Sequence, residues 1–359
     1  MALPVREQFK YWGAAAAIFF LLLFALGDQL LPFFLGAAIA YFLDPVADWL
    51  EAHGLSRGAA TGIITITAIV IFVLFVLLII PNLIEQAVQL FKAAPEIARN
   101  ISTFLSERFP SLQDESSNVR QYLNGLGQTI SERGGALLNS ALTSAASLLN
   151  IVVLFVIVPV VAVYMLLDWD RMVARVDQLL PRDHAPVIRR LAKEIDQTLA
   201  GFIRGMGTVC LILGTYYAIA LMAVGLQFGL VVGFVAGLLT FIPYVGALVG
   251  GALAIGLALF QFWGEWGWII AVAVIFMIGQ VAEGNVLTPK LVGESVGLHP
   301  VWLILSLTVF GAIFGFVGML VAVPMAASLG VLVRFLIGQY QLSLLYTGLS
   351  DDAEPKAED

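Results

Sequence analysis

Residues Phe228–Phe260 form an apolar run without one charged side chain, and it is too long for a single straight membrane helix. At ~1.5 Å rise per residue the run would reach about 50 Å, against a hydrocarbon core of ~30 Å. Near its middle stands TFIPYVG, residues 240–246, where Pro243 withholds a backbone donor and Gly246 permits a turn. Split there, each half is about 20–25 Å long, which suits a hairpin that enters the membrane and turns back. One long kinked helix is the alternative. Irregular backbone at that depth is tolerated only when it is buried in protein or lines a cavity.

A second interrupted run, Val301–Ile337, can be laid on the first with a shift of 72 residues. Tyr244-Val245-Gly246 then falls on Phe316-Val317-Gly318, Leu248-Val249 on Leu320-Val321, and Pro243 on Gly315. Apolar helices at Gly205–Val224 and Trp266–Ala282 precede the two runs, so helix plus broken run occurs twice. Paired Gly/Pro interruptions of this kind are the best sequence pointer to a transporter's binding site. The expected tips and hinges are Pro243, Tyr244, Gly246 and Gly250 in the first run and Gly315, Gly318 and Pro324 in the second. Pro289, Gly293 and Pro300 lie between them.

The rest of the chain fits a polytopic membrane protein. Of 359 residues 60 % are hydrophobic and only 12 % charged, where a soluble domain averages about 25 % charged. Segment 1–81 reads as N-terminal membrane helices. Tyr11–Gly27 is taken as a retained first helix, and Leu30–Leu43 as its close partner, ended by Asp44-Pro45 because the residue before proline avoids the helical region. Gly58–Ile80 follows. Segment 82–150, rich in Ser, Asn and Gln, reads as extracytoplasmic amphipathic helices. Segment 151–204 is a membrane helix followed by a basic cytoplasmic helix, with Leu191, Ile195, Leu199 and Phe202 on its apolar face. Segment 205–337 is the expected transport core, with the interrupted runs 228–260 and 301–337. An acidic tail, 338–359, follows, and its last residues are expected to lack fixed structure. Lys and Arg near Arg6, Arg57 and 168–204 place both termini in the cytoplasm. The fold class expected is therefore all-α, with about eight membrane segments, two of them broken or re-entrant in an inverted-repeat-like arrangement.

Polar chemistry is concentrated in GQVAEGNVLTPKLVGESVGLHP, residues 279–300. Gln280, Glu283, Asn285 and Thr288 gather where the 266–282 helix is expected to end. An ionisable group at membrane depth is costly and is a functional candidate by default; the bland alternative is that Glu283 pairs with Lys290 at the interface. His299 could titrate near neutral pH or simply mark a helix start. Gly225, Gly229, Gly233 and Gly237, spaced four apart, allow a neighbouring helix to approach closely. Cys210, the single cysteine, can form no internal disulfide. Asp44, Asp48, Asp168 and Glu265 sit near predicted boundaries, where solvated acids are ordinary. There is no GxxxxGK[ST], no HExxH and no Cys/His metal spacing. No enzyme, no metal site, no cofactor and no nucleic-acid partner is expected. What remains is a secondary transporter with sodium or a proton as coupling ion, or a non-transporting membrane scaffold.

GNVLTPKLVGESVGLHPVWLILSL (284–307) with FGFVGMLVAVPMAA (314–327) resembles the C-terminal signature of the autoinducer-2 exporter family. GAAIAYFLDPVADWLE (36–51), VYMLLDWDRM (163–172), EIDQTLAGFIRG (194–205) and TFIPYVGALVGG (240–251) carry the resemblance along the chain. It implies roughly eight membrane segments in the bacterial inner membrane, contact with lipid, and assembly into homo-oligomers such as pentamers. It also implies transport of small solutes, with autoinducer-2 export in quorum sensing for some members and sodium/proton antiport for others.

Overall fold

The computed structural model describes residues 18, 27–78, 81, 82, 84–86, 88, 89, 145–293 and 297–347. Expectations for nearly all of Tyr11–Gly27 and of 82–144, and for residues 348–359 of the acidic tail, lie outside those residues. A 3-10 turn, Gly27–Leu30, leads into α1 (Leu31–Ala52), α2 (Arg57–Leu78), α3 (Ala145–Gln178) and α4 (Ala185–Ala223). Then come α5 (Gly229–Leu239), α6 (Val245–Gln261), α7 (Trp266–Ala282), a π-helix (Glu283–Val292), α8 (Pro300–Gln341) and α9 (Leu344–Thr347). The fold is all-helical, with no strand among the described residues. Five helices among them are long and apolar enough to cross a membrane: α1, α2, α4, α8, and α7 with its π-helical extension. Large apolar side chains such as Ile66, Ile71 and Leu211 are more than half exposed. A surface of this kind calls for lipid rather than water as its solvent.

The chain divides into two compact units. One comprises Leu35–Leu167 and Gly205–Leu291. Its main core joins Val209, Leu213, Tyr217 and Leu221 of α4 to Val232 and Ala236 of α5, Ala254, Leu257 and Ala258 of α6, and Val272 and Phe276 of α7. A smaller core joins Ala40 and Ala47 of α1 to Ile64 of α2 and Leu166 of α3.

The break expected at Asp44-Pro45 is corrected: α1 runs through Pro45 to Ala52. A proline inside a helix costs roughly 3 kcal/mol, and a polar cluster offsets that cost here. Continuing the helix sets Asp44, Asp48 and Glu51 on one face, where all three accept from the Arg57 guanidinium at 2.7, 2.7 and 3.0 Å. Arg57 Nε also donates to the Leu166 carbonyl at 2.7 Å. One rigid fork of donors thus ties α1 and α3 to the start of α2.

The other unit comprises Met1–Phe34, Asp168–Arg204 and Val292–Asp359. Arg189 forks onto Asp177 across the turn between α3 and α4, at 2.5 and 2.8 Å. That guanidinium holds the Asp177 carboxyl below the usual carboxylate range. Glu194 approaches Arg334 of α8 at 3.6 Å, and the Arg190 guanidinium lies 5.9 Å from the centre of the Phe335 ring. His299 caps α8 by accepting from Val301 N–H at 3.3 Å, with Pro300 as the first helical residue.

Candidate functional site

Glycines set the close helix approaches in the unit that holds α4 to α7. A Cβ on Gly233 or Gly237 would overlap the backbone of α4 at Ala218 or Gly214, and one on Gly229 would lie 2.9 Å from the Leu221 carbonyl carbon. These three are the packing stripe expected from spacing alone. Gly225 is not part of it: it takes φ +71° in the turn before α5, with nothing within 4 Å of a Cβ. Its glycine serves the left-handed backbone there.

The chain reverses at TFIPYVG. A Cβ on Gly246 would stand 2.6 Å from both Thr240 N and Thr240 Cα, and one on Gly250 would stand 2.6 Å from Ala236 Cβ. Those pairs share one register, 246 with 240 and 250 with 236, so α5 and α6 pack antiparallel. Tyr244, next to Pro243, holds φ +68° at the apex, and its side chain is exposed. Non-glycine residues rarely adopt that conformation, and they cluster where function needs it. The second interrupted run bends as sharply within its own unit. Gly315 takes φ 59° and ψ −139° inside α8. A Cβ on Gly318 would overlap the Phe310 carbonyl oxygen, although residues eight apart in a straight helix are ~12 Å distant. Gly246 and Gly318, matched by the 72-residue shift, thus do the same steric work. Pro324 stands in continuous helix beyond the bend.

Register then shows what lies level with the first reversal. Gly250 and Gly251 of α6 rest on the Phe276 ring of α7, so counting along the antiparallel pair brings Gly246 level with Gln280 and Pro243 level with Glu283. On α4, Gly237 over Gly214 brings Phe241 level with Cys210. Cys210 lies within electrostatic reach of Glu283.

Around that level runs a polar chain inside apolar packing. The Tyr217 ring is fully buried and stacked on Phe276, centroids 4.9 Å apart. It also covers Gly279, where any Cβ would overlap it. Gln280 Nε2 donates to the Tyr217 hydroxyl at 3.2 Å and to Glu283 Oε2 at 3.0 Å. The Tyr217 hydroxyl makes a long contact of 3.5 Å with the Phe276 carbonyl, and Tyr216 donates to the Ile275 carbonyl at 3.0 Å. Glu283 is half-buried and makes no ion pair with any described residue. Pairing with Lys290 is not formed.

Glu283 also opens the π-helix. The helix expected to end at 282 instead continues as helical backbone to Val292, in the wide π form that often marks functional sites. Pro289, inside it, supplies no N–H to the preceding turn. Asn285 Nδ2 donates to the Val281 carbonyl at 3.0 Å, and Thr288 is half-buried nearby in sequence. Gly293 ends the segment at φ +57°. His299, Pro300, Gly315, Gly318 and Pro324 belong to the other unit.

Tyr216, Tyr217 and Cys210 were not anticipated as site residues. Two adjacent tyrosines inside an apolar span were the available signal, since a buried hydroxyl needs a partner. The cavity of about 330 Å³ between α1, α2 and α3 is a different kind of place. Its lining, including Ile39, Ile64, Phe72 and Phe155, is apolar apart from Thr65, whose hydroxyl is already bonded to the Thr61 carbonyl.

A model of the AI-2E family of transporters matches residues 14–338. The chain belongs to the AI-2E transporter family. Among the AI-2E relatives, "Putative permease PerM" of Escherichia coli (strain K12) is 29 % identical over 308 residues, covering 85 % of this chain and 86 % of PerM. "Putative transport protein YrrI" of Bacillus subtilis (strain 168) is 28 % identical over 309 residues, covering 84 % of this chain and 85 % of YrrI. The AI-2E family is one of transporters and permeases rather than enzymes.

Proposed function

We propose that this AI-2E protein is a secondary transporter that moves a small solute across the bacterial inner membrane, coupled through Glu283 to an ion. The observation that carries the reading is a half-buried carboxylate with a single amide donor and no cationic partner among the described residues, level with a strained helix reversal. A charged side chain at membrane depth costs roughly 3 kcal/mol even on insertion scales. A proton or sodium ion would remove that cost, so loading Glu283 changes the energy of the state that carries it. Gradients of ion or solute supply the drive, because the chain has no nucleotide-binding motif.

The family name favours an autoinducer-2-like solute moving outward. The carboxylate, without an ion pair among the described residues, equally favours the second reading, sodium/proton antiport. Both readings take the α5–α6 reversal and the bend at Gly315 as re-entrant elements, within about eight membrane segments and a homo-oligomer, with both termini cytoplasmic. Asn285 and Thr288 would orient the solute. The test is flux in proteoliposomes of labelled sodium against a labelled sugar-like solute, in the wild type and in Glu283→Gln. Coupled flux should vanish in the variant while the oligomer persists. Unchanged, still coupled flux would remove Glu283 from the mechanism, and no flux of either solute in the wild type would favour the scaffold alternative.

A further inference from the structure

We propose that Gln280 and Tyr217 are positioning residues that convert the protonation state of Glu283 into a change of the group offered to the transport pathway. The inference rests on the reading that Glu283 changes protonation during turnover.

Donor counting fixes one state. Gln280 Nε2 has two hydrogens, and both are used, one on Glu283 Oε2 and one on the Tyr217 hydroxyl oxygen. An amide nitrogen cannot accept, so the single Tyr217 hydrogen goes to the Phe276 carbonyl, at the long distance of 3.5 Å. In this state Gln280 Oε1 and Glu283 Oε1 have no partner among the described residues, and neither is a buried unsatisfied atom. What the site offers is two acceptors, suited to a cation or a hydroxyl donor.

A proton taken from water by Glu283 creates an O–H that needs an acceptor, and Gln280 Nε2 cannot be one. Half a turn of the amide about its last single bond places Oε1 between Glu283 and Tyr217. It accepts from both, and the Tyr217 hydrogen leaves only its weakest contact. The amide NH₂ then stands where Oε1 was. Protonation thus exchanges an acceptor for a pair of donors at the surface the solute meets, with no backbone movement. The ring of Tyr217 cannot follow or drift, because it is clamped between Phe276 and the bare backbone of Gly279.

The other titratable groups near this level are few. α4 contributes Tyr216, Tyr217 and Cys210, and the reversal contributes Tyr244. α5, α6 and α7 contribute none, and the π-helix adds Lys290, which makes no ion pair among the described residues.

The test is acid-minus-alkaline infrared difference spectroscopy of the full chain in phosphatidylethanolamine/phosphatidylglycerol vesicles, with isotope-labelled glutamine carbonyls. Subtracting the Glu283→Gln difference spectrum from that of the wild type removes the bands of the other acids and should leave one protonated-carboxyl band together with a shifted glutamine amide band. In Gln280→Met the carboxyl band should persist but move to higher wavenumber, having lost its acceptor. Tyr217→Phe should retain both bands with a smaller amide shift. A carboxyl band without an amide change, a carboxyl band unmoved in Gln280→Met, or no carboxyl band at all overturns the proposal. The outcomes separate from those of the flux assay. Coupled flux lost in Glu283→Gln with no amide band defeats this proposal alone. Coupled flux retained there defeats the coupling role of Glu283 on which this proposal rests.

Discussion

Replacing Gly246 by alanine should force apart the two arms that meet at TFIPYVG. The new Cβ would stand 2.6 Å from Thr240 N and Cα and 2.9 Å from the Leu239 carbonyl carbon. Carbon contacts settle near 3.5–4.0 Å, so a retreat of about 1 Å is required. Every atom it meets is backbone, so no flexible side chain can yield, and α5 and α6 must separate. Overpacking of this sort costs about 1–3 kcal/mol. Alanine returns at most about 1 kcal/mol of helix propensity. Gly256 lies on the same helix with nothing within 4 Å of a Cβ. Gly256→Ala therefore keeps the favourable part alone, and the difference between the variants isolates the clash. Heating purified protein in detergent with a fluorogenic maleimide reads unfolding directly, because half-buried Cys210 is the single thiol. Gly246→Ala should unfold several degrees below Gly256→Ala and lose flux. Equal unfolding temperatures, or the reverse order, would refute the antiparallel packing at this turn.

Arg57→Ala should leave Asp44, Asp48 and Glu51 facing one another without their shared donor. A loss of about 1–3 kcal/mol is expected in the same thermal assay, and adding Asp44→Asn should restore part of it; no recovery would mean that charge repulsion is not what the arginine relieves. The Asp177–Arg189 fork has a definite pH sign. Arg189 lowers the Asp177 carboxyl below its ordinary value, so the stabilisation is present above that ordinary value and fades as pH falls through the depressed one. Hydrogen exchange of residues 179–184, taken relative to the intrinsic rate at each pH, should therefore quicken on strong acidification in the wild type. In Asp177→Asn it should be fast already at neutral pH, and a wild type insensitive to acid would contradict the sign.

Much of this arrangement was legible because membranes impose simple arithmetic. A run too long to span once, with a proline and a glycine near its centre, marked the reversal at 240–246. Glu283 stood out because charge at that depth is expensive. The length of α1 was not legible: the local rule against a helix running through Pro45 was outweighed by Arg57, whose three carboxylate partners align only if the helix continues. The π-helix escaped notice because the preceding helix was expected to end at 282, and a wide turn that accommodates Pro289 leaves no periodic signature. Tyr217 escaped because a buried aromatic in an apolar span is ordinarily packing. Its significance comes from Gly279 and Gln280, more than sixty residues away in sequence.

Accessibility of Tyr244 tests the central claim most directly, that the α5–α6 reversal and Glu283 border one pathway. A Tyr244→Cys variant in a Cys210→Ser background would be labelled in vesicles with a membrane-impermeant maleimide applied from each side in turn. The account predicts labelling through water that depends on side and on imposed ion gradient, and that changes when Glu283→Gln is added. Inaccessibility from both sides under every gradient would show that the reversal is packed in protein or lipid, away from any pathway.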